Sequence, residues 1–365
     1  MRREYDTQMW ITEDMLRHQA RGCGILGAGG GGSPDIGLLA ALYATQRYGE
    51  HELVDLDDLP ADDLVLPIGM VGAPTVAVEK ISNGNEAALI IEMVEQLTGR
   101  RVAALMSSEI GGGNGLFPAG FAAALSLPVV DADGMGRAFP EMPMVSMEVA
   151  GLNPSPCVMS DERGNVLTLH PSNGRWLEKL CRSTSVAFGG RAVSSEYLMS
   201  VAEAKYGAVR GTVSLAIRIG RAIADAMGDP VDALLDAVNG FRLLEGKVTD
   251  VDRRVTDGFT RGTATIDGLR GDSGSQLRLE LQNENLVAVR DGVLVATVPD
   301  IITVVDSQSA EAVSTEVLRY GQRVTVIAFP CDPIWRSERG LALVSPRAFG
   351  YDVDYQTVEA IHARA

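Results

Sequence analysis

The sequence predicts an α/β N-terminal domain with a mostly parallel sheet, followed by a smaller β-rich C-terminal barrel or sandwich domain. Three observations carry that expectation. Strand-like and helix-like segments alternate as far as about residue 136, the pattern of strands joined by helical crossovers. From Leu243 to Val344 nearly every segment is a short strand bounded by turn residues. The chain's 365 residues also exceed the roughly 250–300 at which a single core stops growing. The expected division is 1–170 for the α/β domain, 171–240 for helices packing on it, and 241–365 for the β-rich domain.

The elements follow in order. Residues 12–21 read as a helix capped by Thr12, with Glu13 and Asp14 at its positive end and Gly22 to stop it. That leaves only Cys23–Leu26 before a glycine run, Gly27–Gly32. Ser33-Pro34-Asp35 is a helix start: cap, proline at the first position, acid at the second. Ile36, Leu39, Ala40, Leu42 and Tyr43 give that helix its apolar stripe, and Gly49 ends it. Strands are expected at 52–56, 64–71, 102–106 and 128–130, with helices at 85–97 and 118–125. Residues 157–169 read as a hairpin turning at Glu162-Arg-Gly-Asn165. Helices at about 213–227 and 231–238 are split by Gly228-Asp-Pro230. Strands then follow at 243–255, 258–266, 276–282, 286–290, 293–298, 301–305 and 322–329, with Asn283-Glu-Asn285 and Asp291-Gly292 at turns.

Composition narrows the function. Apolar residues make up 46% and charged residues 22%, the balance of a chain that buries a large core. The formal net charge of −16 argues against a nucleic-acid partner, because phosphates are gripped by Lys and Arg. An anionic membrane surface would repel the chain as well. A small-molecule substrate, even an anionic one, stays open, since a pocket can be locally positive on an acidic protein. The four cysteines, Cys23, Cys157, Cys181 and Cys331, lie far apart with no C-x-x-C, which argues against a disulfide framework or a zinc ribbon. No signal-peptide pattern stands at Met1–Trp10 and no apolar run reaches the ~18 residues that span a bilayer. The expected home is the cytoplasm.

Ligands of an open parallel sheet bind beyond the carboxyl ends of its strands. Three glycine-rich loops leave strand ends here: Gly69–Thr75, Ser107–Gly115 and Asp131–Arg137. The topology brings them to one edge beside the glycine run, so a single cleft is expected there. Within the run, Gly29, Gly30, Gly31, Gly32 and the cap Ser33 form a candidate anion or substrate site, because a helix start offers backbone N–H groups. Gly27-x-Gly29-x-x-Gly32 also matches the dinucleotide fingerprint, with Asp55 as the ribose acid, but too little chain precedes it for a strand. Nucleotide-cofactor binding therefore has no strong signal. The bland alternative is a turn that only lets the helix pack closely.

In the second loop Glu109 is a candidate general base and Asn114 a group that orients a substrate carbonyl. Thr75 is a candidate polar contact on the first. Asp131 and Asp133 have a spacing that suits a divalent ion or the activation of water, and Arg137 suits a substrate carboxylate. The alternative is an Asp–Arg pair that pins a turn. Lys247 on the β-rich domain can reach the site; a solvated strand lysine is its default. Cys331 is a candidate nucleophile against the commoner fate of a buried thiol. The four histidines form neither H-x-H nor H-E-x-x-H.

Leu26-Gly-Ala-Gly-Gly-Gly-Gly-Ser-Pro34, Glu109-Ile-Gly-Gly-Gly-Asn-Gly115 and Asp131-Ala-Asp-Gly-Met-Gly-Arg-Ala-Phe-Pro-Glu141 resemble signature blocks of the S-methyl-thiohydantoin desulfurase family. Gly246–Gly262 and Pro346-Arg-Ala-Phe-Gly-Tyr-Asp352 resemble its C-terminal blocks, so the resemblance runs over about residues 10–355. It implies an α/β domain before a smaller β domain. It also implies hydrolytic desulfurisation or ring hydrolysis of a five-membered thiohydantoin or hydantoin, with a divalent metal ion as a candidate cofactor. Members stand beside hydantoinase/oxoprolinase-type subunits, which become candidate partners, and a homo-oligomer is expected. The competing expectation is a non-catalytic nucleotide- or substrate-binding subunit of such a complex. The first block more often carries Asp where this chain has Ser33, so a carboxylate role there is lost.

Overall fold

The structure, a computed structural model, describes residues 9–72, 76, 79–256 and 259–363. Thr75 lies outside the described residues. Among them, no helix is long and apolar enough to cross a membrane.

The N-terminal domain is built on a ten-stranded sheet. Its centre is parallel: His51–Val54, Val129–Asp133, Val102–Ser107 and Leu64–Gly72 lie side by side. Alternate residues of these strands face two cores. Leu64, Leu66, Ile68, Leu105 and Val129 share one core with helices of one face. Val65, Ala104, Met106 and Val130 share another, with Phe139, Met147 and Trp335. Burial on both faces is what the near-continuous apolar strands require. Helix Pro34–Tyr48 leads into His51–Val54, and helices Glu86–Thr98 and Phe117–Leu125 connect Leu64–Gly72, Val102–Ser107 and Val129–Asp133 in turn, as the alternation predicts.

Beyond Leu64–Gly72 the sheet continues antiparallel. Arg191–Ser195 pairs with that strand, Gly69 facing Ser194 and Met70 facing Val193. The hairpin Cys157–Ser160 and Val166–Leu169 completes the edge. Residues 171–240 are therefore not helical throughout. Helices Gly174–Ala187, Val201–Gly207, Thr212–Ala224 and Pro230–Val238 alternate with the strands Arg191–Ser195, Met199–Ser200 and Val209–Arg210, all of which join this sheet.

Gly22 does not end the first helix, which runs Glu13–Leu26. A Cβ on Gly22 would stand 1.9 Å from the Ala216 carbonyl oxygen, and one on Gly220 would stand 1.9 Å from that of His18. The two glycines let helices Glu13–Leu26 and Thr212–Ala224 cross with backbones in contact, a packing role in place of a stop. The glycine run thus follows a helix directly. The dinucleotide fingerprint lacks its strand, and Asp55 instead caps the turn Leu56–Asp58 and pairs with Arg210 at 2.5 Å.

The C-terminal domain is a seven-stranded antiparallel sheet. Its order is Val293–Thr297, Glu284–Arg290, Gln276–Gln282, Phe259–Gly268, Phe241–Thr256, Arg323–Phe329, Ile301–Asp306. Ala296 and Ile302, from opposite edge strands, share one core with Leu244, Ile266, Leu279 and Val326, so the sheet curls into a half-barrel. Its other face is apolar too: Ile301, Val305, Ile327 and Phe329 pack into the core that holds Ile25 and Leu26. Period-2 alternation thus glues the second domain to the helix that carries the glycine run.

Candidate functional site

A cavity of about 280 Å³ opens where the two domains meet. Its walls come from the glycine run, the ends of strands Leu64–Gly72 and Arg191–Ser195, the loop after Ser107, and the turns at Asn283 and Thr315.

The glycine run folds back on itself, with Gly29, Gly31 and Gly32 at φ of 97°, 75° and 74°. Two positions show why side chains are excluded. A Cβ on Gly30 would stand 2.0 Å from Glu284 Oε1, and one on Gly31 would stand 2.4 Å from the Gly111 carbonyl oxygen. The run is tied down from both sides. Gly113 N–H donates to Gly31 O at 2.9 Å, Asn285 N–H to Ala28 O at 2.8 Å, and Thr315 N–H to Gly29 O at 2.9 Å. Among the described residues no acceptor takes the N–H of Gly31 or Gly32. Both residues line the cavity with Ser33, whose Oγ accepts from Asp35 N–H and caps the next helix. Packing and ligand access are therefore joined in one loop.

Glu109 lines the same cavity and is 9% exposed. Ser107 shapes its loop by donating to Asn114 O at 3.0 Å and to Glu109 O. Asn114 Nδ2 donates to Glu109 Oε1 at 2.5 Å, and its Oδ1 accepts from Met70 N–H at 2.8 Å. Burial pushes the Glu109 carboxyl up to about 7, against the pull of the Asn114 hydrogen bond. A carboxyl that titrates near neutrality in a cavity can take or give a proton at working pH.

Lining residues that the sequence did not single out include Arg191, Ser194, Glu196 and Glu284. Glu196 is 4% exposed, and burial raises its carboxyl to about 7, opposed by the hydroxyls of Ser194 and Ser108. Glu284 is raised well above the carboxylate range, first by burial and then by Glu109, with Arg137 opposing. Arg191 donates to the Lys80 carbonyl, and its buried Nε has no partner among the described residues. The one trace these left in the sequence is polarity where strands end or turn: Ser194-Ser195-Glu196 at the close of strand Arg191–Ser195, and Glu284 inside a segment that reads as a turn.

The remaining expected residues stand elsewhere. Asp133 is fully buried, and its carboxylate accepts from the N–H groups of Ile110, Met135 and Gly136 at 2.7–2.9 Å. It braces the two loops against each other and does not line the cavity. Burial lifts its carboxyl to about 7 despite those donors. Asp131 accepts from Ser214 N–H and Oγ–H, which anchors helix Thr212–Ala224. Arg137 Nη1 donates to Pro299 O at 2.8 Å and Nε to Ala138 O at 2.9 Å, while its buried Nη2 has no hydrogen-bond partner among the described residues. Lys247 stands 5.3 Å from the Tyr320 ring centroid, outside the cavity lining. The expected single cleft therefore gathers the glycine run, Gly69–Gly72, Glu109 and Asn114, and takes Met135 from the third loop, while Asp131, Asp133 and Arg137 stand outside its lining. Cys331 is buried and its thiol is pushed far above the usual range, so it makes a poor nucleophile.

No group of three or more His, Cys, Asp or Glu side chains among the described residues comes together as a metal site. Asp133 and Asp131, the expected ligands, have their oxygens engaged by protein donors. This donor set does not fit a divalent ion.

Residues 14–171 match the S-Me-THD-like N-terminal domain, and residues 172–358 match the S-Me-THD-like C-terminal domain. No curated protein matches the chain. A crystal structure of a protein from Chromobacterium violaceum is similar in fold over 96% of this chain and 100% of its own, with a TM-score of 0.80 at 24% identity.

Proposed function

Because the chain belongs to the S-Me-THD-like family, we propose that its cavity hydrolyses a five-membered thiohydantoin-type ring, releasing the sulfur. The observation that carries this reading is Glu109: a cavity-lining carboxyl held near neutral affinity by burial and aimed by Asn114.

The ring carbon that bears sulfur is a weak electrophile, so water must lose a proton as it attacks. Glu109 takes that proton. Asn114 keeps Oε1 oriented, and its own tie to Met70 N–H fixes it to the end of strand Leu64–Gly72. Negative charge that builds on the ring meets the N–H groups of Gly31 and Gly32, which need no reorganisation to receive it. Arg191 and Ser194, which also line the cavity, offer donors for the ring's polar edge, and the Glu196 carboxyl offers an acceptor. No step uses a metal ion.

The test is direct. Purified chain alone is given an S-methyl-2-thiohydantoin, and methanethiol and hydantoin are measured. Turnover is expected from wild type, with a loss of about 10²–10⁴ in kcat for Glu109→Gln, the usual scale for a general base. Saturable binding with no thiol released would overturn the reading in favour of a binding subunit.

A further inference from the structure

We infer that Glu284 is the second catalytic carboxyl of this cavity, the acid that protonates the departing sulfur. The inference rests on the hydrolytic reading above and assigns a role to a residue from the other domain.

Its geometry is specific. Glu284 opens strand Glu284–Arg290, directly after Asn283 at φ 55°. The next residue fixes its position: Asn285 N–H and Nδ2 both donate to Ala28 O at 2.8 Å, and Nδ2 also reaches Ile302 O at 3.0 Å. That clamp aims Glu284 at the glycine run, with Oε1 in the space a Cβ on Gly30 would fill. The residue is 2% exposed and lines the cavity, and its Oε2 has no hydrogen-bond partner among the described residues. An orphaned buried carboxyl oxygen is costly, and a cavity wall is where a ligand can pay that cost.

The charged groups that act on it are Glu109 and Arg137. Arg137 is locked to backbone carbonyls, so it sets the field without entering the cavity. Glu109 and Glu284 repel as a pair of anions, which keeps a proton on Glu284 while Glu109 is ionised. Two carboxyls whose affinities are driven apart divide into a base and an acid.

The step balances. As water oxygen bonds to the ring carbon, Glu109 takes one water proton and passes it to the ring nitrogen, which receives the electron pair of the C=N bond. The tetrahedral species carries a hydroxyl and the S-alkyl group. On collapse the carbonyl forms as Glu109 takes the hydroxyl proton. The C–S bond breaks, its electron pair goes to sulfur, and Glu284 delivers its proton there. The products are a hydantoin and a thiol. One proton then moves from Glu109 to Glu284 to restore the starting state.

The experiment compares two probes on the same preparations: S-methyl-2-thiohydantoin, whose thiolate needs a proton to leave, and the S-(4-nitrophenyl) analogue, whose thiolate leaves unprotonated. Glu284→Gln is expected to lose about 10²–10⁴ in kcat on the first and to stay close to wild type on the second. Glu109→Gln is expected to lose on both, because both need the water activated. The ratio between probes does not depend on how much of a variant is folded. Equal loss on both probes in Glu284→Gln, or no loss on the S-methyl probe, would overturn the role of Glu284 and leave the hydrolytic reading intact. A wild-type chain silent on both probes would overturn both.

Discussion

Asn114 holds Glu109 with one end of its amide and the backbone N–H of Met70 with the other, at 2.5 and 2.8 Å. A side chain from the glycine loop is thereby strung between the cavity carboxyl and the neighbouring strand. Both the aim and the proton affinity of Glu109 depend on it, since the hydrogen bond favours the ionised carboxylate.

Asn114→Ala is expected to lower kcat and to move the acid limb of the kcat/KM profile to higher pH. The sign follows from the lost donor: without it the ionised form of Glu109 is less stable, so more base is needed to reach it. A pH–rate profile of both proteins checks this. A limb that stays in place while kcat falls would show that Asn114 serves geometry alone.

The buried carboxyls predict a stability that declines with pH. Glu196 is raised from 4.5 to about 7 in the fold, so the folded chain holds a proton that the unfolded chain has released. Its contribution is fully present below about pH 4.5, decays up to about pH 7 and is absent above. Glu109 shares the window. Glu196→Gln is expected to flatten the profile by on the order of 2 kcal/mol, at 1.36 kcal/mol per pKa unit. Urea denaturation of both proteins at pH 5 and pH 8 measures it. An unchanged slope would mean that Glu196 is ionised in the fold.

The crossing of the first helix over Thr212–Ala224 predicts an unusual result for a helical glycine. Gly22→Ala gains about 1 kcal/mol of helix propensity. Its Cβ nevertheless meets the Ala216 carbonyl oxygen, and forcing backbones apart costs about 1–3 kcal/mol. Net destabilisation is expected, with Gly228→Ala, which has open space around it, as the control. Denaturant midpoints decide it, and a stabilised Gly22→Ala would refute the close crossing.

Gly30→Ala tests the contact between the glycine run and the second domain. The new methyl group occupies the place of Glu284 Oε1, so the carboxyl must swing away. Turnover of the S-methyl probe is expected to fall while that of the nitrophenyl probe is spared, the same pattern as Glu284→Gln. Equal rates in wild type and variant would show that the carboxyl can move without consequence.

The alternation of strands and helices to residue 136 was legible from caps and stops: Ser33-Pro34 and Gly49 bound one helix, and Gly99 ends another. The apolar stripe expected on Pro34–Tyr48 is not the buried one: Leu39, Ala40 and Tyr43 are exposed, and Gly37, Ala41, Leu42, Ala44 and Thr45 are buried. Gly22 misled because a glycine that permits a close crossing looks in sequence like one that ends a helix. Tertiary contact, with Ala216, separates the two cases. At the cavity, the glycine run, Glu109 and Asn114 were visible because local loops carry them. Glu196 and Glu284 were not, because their nearness to Glu109 comes from an antiparallel strand added beside Leu64–Gly72 and from a turn of the half-barrel. Asp133 looked like chemistry and serves structure: its loop brings three N–H groups onto one carboxylate.

The most direct test of the account is a single-turnover reaction of purified chain with S-methyl-2-thiohydantoin in oxygen-18 water. The account predicts methanethiol release matched by one labelled oxygen in the new ring carbonyl, with both lost together in Glu109→Gln. Substrate recovered bound and unchanged, or label entering as fast in Glu109→Gln as in wild type, would contradict it.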